Sequence, residues 1–455
     1  MTSIESPDLE SPEFEKPKEY QRPFEVMEKR TTNFEVALAT VGKEAVNEDA
    51  LLVTESEAVV FDGMGGERGG EVAARLARDN FLSAYETVSQ HAPSLSPSER
   101  QNLWQKVLEG NSLIRRENLF PSVKEELNEA ADPDQRARGQ ARRDQARAQY
   151  TADLAEAQAA MANLPEKVKL EAIVYFKTMQ ELSGAIYRQT QANPEFVGMG
   201  TTFTGLKIIT LPDGRRFGIF AGVGDSEAWL YRKKTNTVEP AVKSDNALDT
   251  AVARGEIRPE DVPKLPAWFY RRLRFVGTTQ ALGASDQPIE PHLRVYELEA
   301  GDRFLLNTDG LSDNDPAANF KKELQKRQKE PWKKVAQKMI KQSFRGISSK
   351  KEEVDTTVKG ADDITVVVGE IGPPPREETT KWNLLVNEEL IAAGLSDLIA
   401  EEIRAKLKAV EQSLAQEAMT EVKRTGDTSP EAITASLRNR VRAKIQEWNP
   451  GQKAA

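Results

Sequence analysis

Residues 57–70 read EAVVFDGMGGERGG. A short apolar run, Ala58 to Phe61, carries Asp62 to its end and opens at once into glycine. The physical reading is a strand that delivers a carboxylate to its tip, followed by a tight turn with exposed backbone. The same arrangement recurs along the chain. Glu48 and Asp49 precede the apolar run Ala50–Val53, and Asp225 sits at a turn between GIFAGVG and AWLYR. Asp309 follows the strand-like DRFLLN, with Asp313 one turn on, and Asp362 introduces ITVVV.

Acids at strand ends are also common in ordinary turns, and spacing alone does not make them converge. If they do converge, their mutual repulsion is costly unless cations neutralise it. The chain has no cysteine and only two histidines, His91 and His292, which lack ligand-type spacing. A metal site would then be built from oxygen donors, which suit magnesium or manganese rather than zinc. One aspartate bridging two such ions, with other acids completing the shells, describes a two-metal hydrolytic site.

Competing readings are weaker. Gly63-Met64-Gly65-Gly66-Glu67-Arg68 puts Arg68 where a dinucleotide fingerprint needs its third glycine, and no G-K-[ST] follows any glycine-rich loop. Ser226 beside Asp225 has no histidine in a triad context. The 455 residues carry a formal net charge of -9, which disfavours a general nucleic-acid binder. No apolar run is long enough to span a membrane, and the acidic, proline-bearing start does not read as a signal peptide. The expected setting is cytoplasmic, with no nucleic-acid or membrane partner.

Residues 1–30 read as a disordered or loosely docked arm. A domain over 31–371 follows, its apolar strands alternating with long helices, which suggests sheets sandwiched between helices. A helical insertion spans 92–165. Its stretch with Arg136, Arg138, Arg142, Arg143 and Arg147 has few large apolar residues, so it reads as a solvated helix, with a docking surface as the alternative. Residues 240–276 are charged and turn-rich and read as a flap. Residues 372–383 form a linker and 384–448 a helical appendage. The insertion and the appendage are candidate surfaces for a protein partner.

Seven blocks now become specific by their order: NEDA (47–50), VVFDGMGG (59–66), GMGTTFTGL (198–206), GVGDSEAWLY (222–231), TQALG (279–283), LLNTDGLSD (305–313) and DDITVVV (362–368). In that order they resemble the signature blocks of the metal-dependent serine/threonine protein phosphatases of type 2C, the PPM family, in its bacterial form. The resemblance implies an α+β fold: a four-layer α-β-β-α sandwich of two antiparallel sheets flanked by helices. It implies two Mn²⁺ or Mg²⁺ ions, with a third, weaker one. Asp62 would bridge the pair and the Gly63 carbonyl would complete one shell. Asp309 and Asp362 would be direct ligands, and Glu48 and Asp49 would act largely through water. Asp225 and Asp313 would serve the third ion. The catalytic set would be Asp62, Asp309, Asp362 and Glu48. The implied reaction is hydrolysis of phosphoserine or phosphothreonine in a protein substrate by a metal-bridging water.

The chain departs from that pattern at the substrate. Bacterial members usually place a phosphate-holding arginine three residues before the Asn of NED, where this chain has Glu44, with Lys43 beside it. Met64 takes the place of the histidine acid of the animal enzymes, as it commonly does in bacterial members. Lys43, Glu44 and Met64 are therefore the expected substrate-side residues. Two other readings stay open: a catalytically weakened regulatory module, and a hydrolase of small phosphomonoesters.

Overall fold

The computed structural model describes residues 25–41, 47–64, 69–112, 133–211, 213–266, 269, 273, 278–312, 317–326, 331–349, 362–373, 385–386, 389–390, 397–425 and 429–448. They fall into two compact units, Met1–Pro374 and Pro375–Ala455. Among them, no helix is long and apolar enough to cross a membrane.

The first unit is built on strands that are apolar on both faces. In β2 (Phe34–Val41), Phe34, Val36 and Leu38 enter one core while Ala37, Ala39 and Val41 enter another. β4 (Glu57–Met64) does the same, with Ala58 and Val60 on one side and Val59 and Phe61 on the other. Side chains alternate across a strand, so a continuous apolar run means that both faces are covered.

Two antiparallel sheets result. One has the order β1 (Glu25–Arg30), β2, β12 (Ile364–Ile371), β11 (Arg303–Asn307), β8 (Glu227–Arg232), β9 (Thr237–Pro240). The other runs β10 (His292–Leu298), β7 (Arg216–Val223), β6 (Phe203–Thr210), β4, β3 (Asp49–Val53), with the two-residue β5 (Gly200–Thr201) paired to β4. Phe34, Leu206, Phe220, Leu306 and Val367 fill the space between the sheets. The rings of Phe34 and Phe304 meet edge to face there, 5.6 Å apart. Each such fully buried side chain contributes about 1.5–3 kcal/mol.

Helices cover both outer faces. α1 (Gly69–His91) and α4 (Glu166–Ala192) lie on the second sheet through Ala73, Ala77, Phe81, Phe176 and Met179. α6 (Ala317–Gln325) and α7 (Trp332–Ser349) cover the first through Phe320, Val335 and Met339. This is the α-β-β-α sandwich that the sequence blocks imply.

Several details differ from the sequence reading. Residues 25–30, assigned to the loose arm, form β1 and pair with β2 from Glu25↔Thr40 to Arg30↔Glu35. β4 does not stop at Asp62. It continues through Gly63 and Met64, which pair with Thr201 and Gly200. β10 contains His292 and was not legible as a strand.

The long helical stretch is docked rather than solvated throughout. α2 (Pro97–Glu109) and α3 (Pro133–Met161) stand beside the edge strand β10. There Arg294 donates to Glu156 at 2.8 Å and to Asn111 at 3.2 Å. Ala157 and Met161 are fully buried, while Arg136, Arg138, Arg142 and Arg147 stay exposed. Covering an edge strand removes a free row of backbone donors and acceptors. Residues 113–132 lie outside the described set. The expected flap contains a short helix, α5 (Ala247–Ala253), capped by Asn246, whose side chain accepts from the Asp249 N–H at 2.8 Å.

In the second unit, α8 (Asp397–Thr425) and α9 (Pro430–Trp448) pack through Ile403, Leu407, Leu414, Val441 and Ile445. Arg440 reaches back from α9 to Glu417 and Glu421, and Arg442 grips the buried Glu389 through two hydrogen bonds.

Candidate metal centre

Antiparallel pairing of β3 with β4 places Asp49 directly opposite Asp62. The register follows from the apolar pattern: a slip of one residue would turn Val59 and Phe61 out of their core. Asp309 opens a single helical turn, Asp309–Ser312, two residues after β11, and Asp362 precedes β12. Asp225 lies in the link from β7 to β8, which crosses from one sheet to the other. The candidate acids thus come from both sheets and from the link between them.

Their charges act on Asp62 and Asp49. Burial holds the Asp62 carboxyl well above the usual carboxylate range, and the charges of Asp49, Asp362 and Asp225 push it further; a hydrogen bond with Asp309 opposes them. Burial likewise raises Asp49, helped by Asp363 and Asp362 and opposed by hydrogen bonds from Thr365 and Thr308.

A chain of small polar side chains fixes this geometry. The Thr308 hydroxyl donates to Asp49 Oδ2 at 3.0 Å and accepts from the Thr365 N–H at 2.9 Å. Thr365 and Thr40 share a hydroxyl hydrogen bond of 2.8 Å, and Asn47 Nδ2 donates to Thr40 at 2.7 Å. Asn47 Oδ1 in turn accepts the Asp49 N–H at 2.9 Å. Asp363, buried, accepts the Glu48 N–H at 2.6 Å. On the other side, Thr202 Oγ1 accepts the Asp62 N–H at 3.0 Å, while the Asp62 carbonyl accepts from the Thr202 N–H and the Thr201 hydroxyl. These threonines and Asp363 were not singled out as site residues by sequence. Their signal, hydroxyls flanking the acidic blocks, is common to many turns.

Gly63 and Gly70 bring backbones into contact here. A Cβ on Gly63 would lie 2.1 Å from the Gly70 carbonyl oxygen and 2.6 Å from that of Glu48. A Cβ on Gly70 would lie 3.0 Å from the Glu48 side chain. The start of α1 is thereby pressed against the strand that bears Asp62. Met64 is half-buried in β4. Lys43, Glu44 and Asp313 lie outside the described residues.

The donor set fits hard divalent cations. Every candidate ligand is an oxygen. Asp49 Oδ1 is buried and has no hydrogen-bond partner among the described residues, so it is a lone pair without a proton donor. Among the described residues, no group of three or more Asp, Glu or His side chains is placed to hold a metal ion; the fit lies in the chemistry of the donors.

Comparison with known proteins gives this arrangement a context. Over 131 residues the chain is 36% identical to the serine/threonine protein phosphatase PstP of Mycobacterium tuberculosis, covering 29% of this chain and 22% of that one. It is 32% identical over 139 residues to a putative protein phosphatase 2C-type of Streptococcus pyogenes, covering 30% of this chain and 50% of that one. The chain is a homologue of bacterial type 2C protein phosphatases. The matches span half or less of these type 2C relatives. No family model matches. Among solved structures, PstP of M. tuberculosis is similar over 75% of this chain and 99% of that chain, at 22% identity and a TM-score of 0.44. A second PstP structure, described as a complex with two manganese ions, gives 22% identity and a TM-score of 0.43 over the same shares. Stp1 of Staphylococcus aureus gives 19% identity and 0.46, over 74% of this chain and 95% of that one.

Proposed function

We propose that this chain hydrolyses phosphoserine and phosphothreonine in proteins, using two divalent cations, manganese or magnesium. The observation that carries the reading is the placement of Asp49 opposite Asp62, with Asp362 and Asp225 near enough to disfavour ionisation of Asp62 and Asp309 within hydrogen-bonding reach of it. Asp225 is buried and Asp49, Asp62 and Asp309 are half-buried; carboxylates so placed are an expensive scaffold, and cations convert that cost into affinity. The protein substrate is supported by the sequence likeness to type 2C protein phosphatases.

In this proposal Asp62 would help to hold the two ions. Glu48, Asp49, Asp309, Asp362 and the Gly63 carbonyl complete their surroundings, and Asp225 and Asp313 serve a third, weaker ion. When bound, such ions lower the pKa of a water and offset charge on phosphoryl oxygens. The chain's own residues do the positioning. Thr308 and Thr365 restrain the Asp49 carboxylate, Thr202 fixes the backbone at Asp62, and Asp363 fixes the backbone at Glu48. Lys43 is the nearest cation in sequence to the position where an arginine is expected, and it is the proposed contact for substrate phosphate.

The test is manganese-dependent phosphate release from a phosphothreonine peptide, with Asp62→Ala as control. Equal rates in the two proteins would sink the proposal. A panel of phosphosugars run beside the peptide distinguishes a protein substrate from a small phosphomonoester. Glu44 favours one second reading, a phosphatase fold kept for regulation, because a carboxylate repels a phosphate dianion. Manganese binding without turnover of any phosphate ester would select it.

A further inference from the structure

Asp245 is buried and stands outside the acids considered so far. Its Oδ2 accepts the Gly224 N–H at 3.1 Å and Gln280 Nε2 at 2.7 Å. Its Oδ1 meets Nε2 of the buried His292 at 2.9 Å. Its backbone is equally committed. The Asp245 N–H donates to the Gly224 carbonyl at 2.8 Å, and its carbonyl accepts from the Thr279 N–H at 2.7 Å and the Thr279 hydroxyl at 2.9 Å. One side chain therefore joins the turn after β7, the edge strand β10 and the stretch 278–280.

The turn it holds is the one that carries Asp225. Gly224 has φ +96°, a conformation that side-chain-bearing residues avoid, and a Cβ there would lie 2.7 Å from Thr202 Cγ2. Thr202 is the residue whose hydroxyl accepts the Asp62 N–H, and it also shares a 2.8 Å hydrogen bond with Ser226. The turn is thus held from two sides, by Asp245 through the Gly224 backbone and by Thr202 and Ser226.

The hydrogen-bond pattern is demanding. Donors face both oxygens of Asp245, so an amide in its place must turn its nitrogen toward a donor. His292 could accept from that amide only by moving its proton to Nδ1, which is buried without a partner. The network therefore calls for a carboxylate rather than for any polar side chain of that shape.

We propose that Asp245 is a positioning residue, holding the Gly224–Asp225 turn in the orientation from which Asp225 helps to bind a divalent cation. The proposal rests on the metal-dependent reading of the site above. Residues that orient ligands from behind change metal affinity by about 10–100-fold when replaced.

The test is calorimetric titration of the full chain with Mn²⁺, comparing the parent, Asp245→Asn, Asp225→Asn and the double variant, with near-UV circular dichroism to check folding. Asp245→Asn is expected to weaken the loosest class of Mn²⁺ sites about tenfold or more and to leave the tight class in place. Asp225→Asn should do the same, and the double variant should be no worse than Asp225→Asn alone, because the two act on one event. If Asp245→Asn fails to fold, Gln280→Leu, which removes one donor from the same oxygen, should show a smaller shift in the same sites. Unchanged Mn²⁺ isotherms in a folded Asp245→Asn or Gln280→Leu chain, with only a lower melting temperature, would overturn the proposal. A parent chain that binds no Mn²⁺ would overturn both this and the metal-dependent reading. A parent that binds it and loses the tight sites on Asp62→Asn, while Asp245→Asn changes nothing, would overturn this inference alone.

Discussion

Asp49 and Asp62 are direct partners across the β3–β4 ladder, so their side chains leave the same face of the sheet next to each other. Like charges so placed destabilise the folded chain unless something offsets them. Asp62→Asn is therefore expected to raise the melting temperature of the chelator-treated protein, by about 2–4 °C for each kcal/mol relieved. It should also abolish the further rise that Mn²⁺ gives the parent chain. Thermal melts with chelator and with Mn²⁺ decide it; a variant that melts below the parent in chelator refutes it.

The pH dependence follows from the same pair. Both carboxyls are held above the ordinary carboxylate range in the folded chain, chiefly by burial. In the unfolded chain they titrate near about 4. Between those values the folded chain binds more protons than the unfolded one, so stability falls as pH rises. The contribution is fully present below the unfolded value and is lost through the folded one. Melting temperatures of the chelated parent should drop relative to an Asp49→Asn/Asp62→Asn chain as pH rises from about 4 toward neutrality. Saturating Mn²⁺ should flatten that drop. A difference independent of pH would contradict the assignment.

Gly63→Ala tests the contact between β4 and α1. Both neighbours of the added Cβ are backbone carbonyl oxygens, which cannot swing away as a side chain could. Overpacking of this kind costs about 1–3 kcal/mol. The expected result is a lower urea midpoint together with weaker Mn²⁺ binding, since Glu48 and the start of α1 must both shift. An unchanged midpoint would mean that the two segments separate freely.

Thr308 holds Asp49 and the Thr365 N–H with one hydroxyl. Thr308→Val removes both hydrogen bonds and leaves the Thr365 N–H buried without a partner, at a cost of about 1–3 kcal/mol. Thr308→Ser keeps the hydroxyl and should recover most of the loss in both stability and Mn²⁺ affinity. If valine keeps stability and Mn²⁺ affinity while serine loses them, packing of the methyl group is what matters.

Glu44→Arg exchanges a charge that repels phosphate for one that binds it. The expected effect is a higher kcat/KM for phosphothreonine peptide, seen mainly as a lower KM. Steady-state kinetics at fixed Mn²⁺ checks it; no improvement would mean that another cation, such as Lys43, already fills the role.

Much of the sandwich could be read from the chain because its strands are apolar on both faces, and runs such as Val59–Phe61 and Ile364–Val368 have few other physical readings. The acids were legible as strand-end residues, but their convergence was not, since it depends on which strands pair. β1 was missed because four of the six residues of EVMEKR are charged and it sits on a sheet edge, where one face is wet. The docked insertion was misjudged because α3 buries alanines and one methionine rather than large side chains. The threonine chain and Asp245 were invisible for a different reason: their partners are brought together only by tertiary contacts between residues far apart in sequence, as with Thr40 and Thr365.

The division of the acids between two sheets has a kinetic meaning. Asp49 and Asp62 ride on one sheet, Asp309 and Asp362 flank strands of the other, and Thr308 bonds across to Asp49. A folding intermediate with either sheet alone presents half of the cluster and cannot assemble the rest. High-affinity Mn²⁺ uptake during refolding should therefore lag behind the burial of each sheet's own aromatic residues, followed by stopped-flow fluorescence beside a metal indicator. If uptake came first, the cations would be templates for docking the sheets. If it comes last, the metal centre is a product of the completed architecture and cannot precede it.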